Sequence, residues 1–251
     1  VDGYRINTAE NKAFGHETMT QVLENSDNVA MVWIADKLGN EALHAALKKF
    51  GFGQESGIDL PGEVAGRLPS LSSWHNTTRA TLAFGQGIAT TPLQIASAMA
   101  TLANGGKVRQ PHLVAAILDQ DGAVRQETES KVREESAISP TTSAKIAGMM
   151  VSVVELGHGK RAKVAGYKIA GKTGTAQISR PIEEGGGYYD DQHIGGFGGF
   201  FPADKPRFAM VVKLDRPKTV KFAESSAAPT FGEIAQYMLN YYRIAPTEPI
   251  K

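Results

Sequence analysis

The chain has 251 residues, of which 41% are hydrophobic and 21% charged, and its formal net charge is +1. That balance fits a globular protein with a substantial core, either one large domain or part of a larger one, and it gives nucleic acid no charge to bind. There is no cysteine, which excludes disulfides and thiolate metal sites, and no run of about 18 apolar residues that could span a membrane as a helix.

Residues 1–16 are polar and contain glycine, as expected for a loop or short hairpin. Thr18 is placed to cap a helix over residues 19–24, and the apolar run 29–35 continues in helical character. Ser26-Asp27-Asn28 separates the two, with three residues that favour turns and local backbone bonds. On that basis alone it is also an ordinary inter-helix turn. Asn40 is expected to cap a helix from Glu41 to Phe50, ended by Gly51. Residues 51–76, rich in Gly, Pro and Ser, read as a long surface excursion anchored by Leu60, Val64, Leu68 and Trp74.

Thr91 followed by Pro92 opens another helix, with proline at its favoured first position. Ile95, Met99 and Leu102 give that helix an apolar face, and Gly105-Gly106 stops it. Asp121-Gly122 between two short apolar runs signals a hairpin. Ser139 and Pro140 begin a helix whose Ile146, Met149, Met150 and Val153 form a core stripe. Gly157-His158-Gly159-Lys160 leads to a strand over Tyr167–Gln177. A polar, glycine-rich connection over residues 180–191 precedes a strand from His193, and Phe208–Leu214 is the third strand of this meander. Phe231, Ile234, Met238 and Tyr242 define a last amphipathic helix. The fold class is α+β: helices around a C-terminal antiparallel sheet.

The unusual stretch is Lys172-Thr173-Gly174-Thr175. Tyr167, Ile169 and Thr173 favour a strand, whereas a glycine inside a strand marks a bulge or a close approach by another backbone or a ligand. A cation and two hydroxyls beside that glycine suit a strand edge that binds an anion. An ordinary surface strand with a glycine kink fits the same four residues. The six histidines, at positions 16, 44, 75, 112, 158 and 193, show no ligand spacing, so neither a metal nor another cofactor is expected.

Lys172-Thr173-Gly174 together with the upstream Ser26-Asp27-Asn28 resembles two of the three signatures of serine penicillin-recognising enzymes. Gly85-Gln86-Gly87, Thr91-Pro92-Leu93-Gln94 and the glycine-rich run His193 to Asp204 extend the resemblance, which covers residue 18 to the C-terminus. It is closest to class B penicillin-binding proteins, the monofunctional peptidoglycan D,D-transpeptidases. The third signature, Ser-x-x-Lys, is missing: no serine here has a lysine three residues on, and Ser143-Ala144-Lys145 has the wrong spacing. The expectation is therefore that residues 1–251 are the C-terminal portion of a transpeptidase domain whose nucleophile-bearing part lies elsewhere, and that the β-lactamase/transpeptidase-like sheet is incomplete in this chain.

The resemblance implies roles. Ser26 and Lys172 would relay a proton to the leaving nitrogen. Asn28 would bond the substrate amide, and Asp27 would support the turn. Thr173 and Thr175 would hold a terminal carboxylate, Gly174 would leave room for the substrate backbone, and the Thr175 N–H would be an oxyanion donor. The implied ligands are peptidoglycan stem peptides and β-lactams. The implied partners are the nucleophile-bearing part of the same protein, a glycan polymerase and membrane proteins of division or elongation, all outside the cytoplasm. A serine β-lactamase shares the motifs, although no clear deacylating glutamate motif is seen. A degenerate, non-catalytic penicillin sensor would share them too.

Overall fold

The computed structural model describes residues 1–8 and 11–249. Residues 1–8 and 12–16 form no helix or strand. Helix α1 (Met19–Asn25) starts from a capping box in which Thr18 and Gln21 bond each other's backbone N–H. Helices α2 (Asn28–Leu38) and α3 (Asn40–Lys49) follow. The cap of α3 differs from expectation: Gly39 is its N-cap, and the Asn40 side chain instead accepts a hydrogen bond from Arg79 at 2.8 Å.

The excursion over residues 51–76 is held differently from the sequence reading. Trp74 is buried, but Leu60 and Val64 are exposed. Polar side chains anchor it instead. The Gln94 amide donates to the carbonyls of Gln54 and Ala65, both at 2.8 Å, and the Glu63 carboxylate takes the N–H groups of Ser56 and Gly57. An irregular segment has many backbone groups to satisfy and few apolar ones to bury, so hydrogen bonds fix it.

Helix α4 (Asn76–Leu82) was not marked by the sequence, since its threonine-rich stretch has low intrinsic helix preference. Tertiary contacts override that. The Asp2 carboxylate accepts from the Thr77 N–H and hydroxyl, and Arg79 reaches Asn40 on α3. Helix α5 (Pro92–Ala103) has the expected Thr91 cap, with Gln94 completing the box.

Two small ribbons come next. Strand β1 (Val108–Arg109) pairs with β4 (Val132–Glu134), and β2 (Ala116–Leu118) pairs with β3 (Val124–Glu127) around the expected Asp121-Gly122 turn. Helix α6 (Pro140–Glu155) is capped by Ser139 and buries Met150, Val153 and Val154.

Strands β5 (Ala170–Ser179), β6 (Tyr188–Phe201) and β7 (Phe208–Asp215) make an antiparallel sheet in the order β5-β6-β7. β6 starts earlier than the sequence indicated, because Tyr188–Asp191 are already strand. Side chains alternate across it. Phe197 and Phe201 enter a core with Ile169 and Leu239, while Phe200 turns to the opposite face, against Met150 and flanking residues of α5 and α6. Each fully buried aromatic side chain contributes about 2–3 kcal/mol. Helix α7 (Ala227–Tyr241) closes the first face, with Phe231 packed 4.7 Å from Phe197, centroid to centroid. Its buried stripe is Ala227, Ala228, Phe231, Gly232, Ala235 and Leu239, whereas Ile234 and Tyr242 are exposed. The small residues win the inner face because they let the helix lie close. A Cβ on Gly232 would already touch Ala162 at 3.2 Å. The whole is an α+β fold with helices on both faces of an antiparallel sheet.

Candidate active site

Strand β5 is an outer strand of the sheet, bonded within it only to β6. Thr173 pairs with Phe197 and Thr175 with Gly195. Directly opposite residues share a face, so both threonines lie on the α7 side, while Lys172 and Gly174 lie on the side of α5 and α6. The free edge of β5 therefore runs between a lysine and two hydroxyls.

The Ser26 turn approaches from the helical side. Ser26 ends α1 in the left-handed conformation, with φ 52°. The N–H groups of Ser26 and Asp27 donate back to the carbonyls of Leu23 and Val22. Asp27 is buried and caps α2, its carboxylate accepting from the N–H groups of Val29 at 2.7 Å and Ala30 at 3.1 Å. Asp27 thus supports the turn, as expected. The left-handed geometry at Ser26 carries local strain of the kind found where a side chain is aimed.

It is aimed at Lys172. The Lys172 ammonium donates to Ser26 Oγ at 2.8 Å, to the Thr173 carbonyl at 3.0 Å and to Thr173 Oγ1 at 3.4 Å. Residues 146 positions apart in sequence are joined by this bond. Lys172 is half-buried, and desolvation pushes the pKa of its ammonium from 10.5 down to about 8. A lysine so placed gives up a proton far more readily than a surface lysine does.

The other candidate residues fall around this pair. Asn28 opens α2 in the same turn, and its amide donates to the Asn7 carbonyl at 3.3 Å. Gly174 is exposed, and a Cβ built on it would meet nothing within 4 Å, so the space above the strand is open. Thr175 Oγ1 accepts the Ala223 N–H at 3.1 Å. A hydroxyl has one proton and two lone pairs, so this bond fixes the oxygen and leaves the proton free to donate.

Several contributors carried no sequence signal. Burial, with the Asp27 carboxylate beside it, raises the pKa of Glu17, which also accepts from Asn25 at 2.6 Å. Glu24, near the end of α1, accepts from Ser152 on α6 through its carboxylate, and from the His158 N–H at 3.3 Å through its carbonyl. Gly157 permits this approach, since a Cβ there would lie 2.6 Å from the Glu24 carbonyl oxygen. The contacts of Glu24 join segments far apart in the chain, whereas those of Glu17 to Asn25 and Asp27 are local. Among the described residues, no group of three or more His, Cys, Asp or Glu side chains could hold a metal ion, and no helix is long and apolar enough to cross a membrane.

Comparison with known proteins gives a consistent picture. The model of the penicillin binding protein transpeptidase domain matches residues 2–236. Stage V sporulation protein D of Bacillus subtilis is 37% identical over 247 residues, covering 98% of this chain and 38% of that protein. The peptidoglycan D,D-transpeptidase FtsI of Escherichia coli K12 is 34% identical over 248 residues, covering 97% of this chain and 40% of the relative. This chain thus spans about two fifths of the length of these relatives. Among solved structures, penicillin binding protein 3 of Mycobacterium tuberculosis, complexed with aztreonam, superposes with a TM-score of 0.84 at 32% identity, over 96% of this chain and 56% of that one.

Proposed function

This chain belongs to the class B penicillin-binding proteins, within their transpeptidase domain, and from that premise we propose that it carries the proton-relay and carboxylate-binding half of a peptidoglycan D,D-transpeptidase site. The observation that carries the reading is the 2.8 Å bond from Lys172 to Ser26 Oγ, beside an open strand edge. In the proposed reaction, a serine outside residues 1–251 gives its proton to the lysine of the same Ser-x-x-Lys segment and attacks the carbonyl of the D-Ala–D-Ala peptide bond. The C–N bond breaks, and the departing D-Ala nitrogen takes its proton from the Ser26 hydroxyl, which Lys172 resupplies. An amine from a second stem peptide then displaces the serine oxygen from the acyl-enzyme, giving the crosslink and restoring the serine.

The remaining residues have places in this scheme. The Thr175 N–H stabilises the developing oxyanion, a contribution of about 3 kcal/mol for one preorganised donor. The free protons of Thr173 and Thr175 hold the terminal carboxylate, and the Lys172 charge keeps the groove attractive to it. The donor peptide lies along β5 as an added strand, which needs the bare surface at Gly174. Asn28 bonds the substrate amide after turning from the Asn7 carbonyl. The setting is extracytoplasmic, beside a glycan polymerase and the membrane proteins of division or elongation.

Labelling of the complete protein with a fluorescent penicillin tests the reading. A stable covalent adduct on the wild type, formed at least about 100-fold more slowly in Lys172→Ala, is expected. A protein that never labels contradicts the transpeptidase reading. One that labels and then releases hydrolysed penicillin rapidly is a β-lactamase.

A further inference from the structure

The turn that follows α6 is joined to both walls of the candidate site. On one side, the His158 backbone N–H donates to the Glu24 carbonyl at 3.3 Å, two residues before Ser26. On the other, His158 Nδ1 lies 2.9 Å from Glu224 Oε2. Glu224 is the middle residue of a 3-10 turn, Ala223–Ser225, and the N–H of its neighbour Ala223 holds Thr175 Oγ1. A continuous path therefore runs from the Ser26 helix through His158 and Glu224 to the Thr175 hydroxyl.

We infer that His158, through Glu224, is a positioning residue: it sets the turn that fixes the Thr175 hydroxyl and so governs affinity for acyl donors ending in a carboxylate. The inference rests on the transpeptidase reading and adds to it a residue that touches no reacting atom. Three observations support it. The 3-10 turn's internal bonds, from the Ser225 N–H and Ser226 Oγ to the Phe222 carbonyl, close the turn on itself, so they do not orient it against its surroundings. Ala223 is buried in the core beneath it, and the Glu224 carboxylate adds the polar bond that ties the outer side of the turn to the segment after α6. The turn also sits directly on the sheet beside the partner of Thr175, because a Cβ on Gly195 would lie 3.1 Å from Ser226 Oγ and 3.6 Å from the Ala223 Cα. Small tilts of the turn therefore register at Ala223. Finally, the His158 and Glu224 side chains are 39% and 43% exposed. Pairs that exposed add little to global stability, so removing one leaves the fold and loosens the turn. A Thr175 hydroxyl no longer pinned must then be ordered by the ligand itself, and affinity falls.

The test is steady-state kinetics of the complete protein with two thioester donors, one ending in a free carboxylate and the other with that carboxylate amidated. For His158→Ala we expect KM for the carboxylate donor to rise about fivefold, with kcat within about twofold of wild type and the amidated donor unaffected. Glu224→Ala should match it. The double variant should be no worse than either single one, since both break the same link. Glu224→Gln, which keeps an oxygen acceptor, should restore most of the loss. If His158→Ala does not fold, the exposed Glu224 variants carry the same comparison. Equal losses with both donors mean that the pair is only structural, and no loss, or additive losses, also overturns the inference. A wild type inert to both donors and unlabelled by penicillin overturns the reaction itself, and the inference with it. An active wild type whose kinetics ignore these substitutions overturns the inference alone.

Discussion

Replacing Lys172 by methionine should make the protein more stable at neutral pH. The substitution keeps the apolar stem and removes a desolvated ammonium. The drop in pKa from 10.5 to about 8, converted at about 1.4 kcal/mol per pH unit, means that charging Lys172 in the folded state costs about 3 kcal/mol below pH 8. Losing its bonds to Ser26 and Thr173 returns about 1 kcal/mol, leaving a net gain of about 2 kcal/mol for Lys172→Met at pH 7. The sign with pH follows from proton counting. Between about 8 and 10.5 the unfolded chain still holds the lysine proton that the folded chain has released, so wild-type stability rises through that window. The variant has no such group. Urea unfolding of both proteins, followed by circular dichroism from pH 7 to 10, should show the variant's advantage disappearing as pH rises. A difference that stays constant over that range would mean the ammonium is not desolvated, and the proton-relay argument would lose its basis. The cost fits a residue kept for chemistry at the expense of stability.

Other substitutions separate site from scaffold. Gly174→Val should leave the melting temperature within about 2 °C, because the added atoms enter open space, yet slow penicillin acylation at least about 100-fold by blocking the strand edge. Thr175→Val removes the free hydroxyl proton and strands the Ala223 N–H. Binding of a carboxylate ligand, followed by titration, should weaken about tenfold, with about 1 kcal/mol lost from stability. Asp27→Ala deletes the α2 cap and should cost about 1–2 kcal/mol in denaturant unfolding, with Asp27→Asn recovering most of it. Gly157→Ala drives a methyl group into the Glu24 carbonyl and should cost about 1–3 kcal/mol by the same assay.

Local chemistry was legible from the sequence wherever a residue acts on its own neighbours. Thr18 with Gln21, Thr91 with Pro92 and Gln94, and Asp121-Gly122 each do what their residue types favour within four positions. The two motifs at Ser26 and Lys172 were found because each is contiguous, and their meeting was implied only by family resemblance. What stayed hidden was long-range. Asn40 would cap a helix in isolation, but Arg79 takes its side chain. The helix Asn76–Leu82 forms against its propensity because Asp2 and Arg79 hold it. The inner stripe of α7 was legible in part: Phe231 and Met238 lie against the core, whereas Ile234 and Tyr242 are exposed and close packing places Ala228, Gly232 and Ala235 inside. His158 and Glu224, 66 positions apart, share no periodicity that a one-dimensional reading could detect.

The measurement that bears most directly on the account is peptide mapping of the penicillin adduct in the complete protein, with the acylation rate of Ser26→Ala and Lys172→Ala followed in parallel. The account predicts one penicilloyl group on a serine outside these 251 residues, with both substitutions slowing its formation. An adduct on a serine within this chain, or an acylation rate indifferent to Ser26 and Lys172, would contradict it.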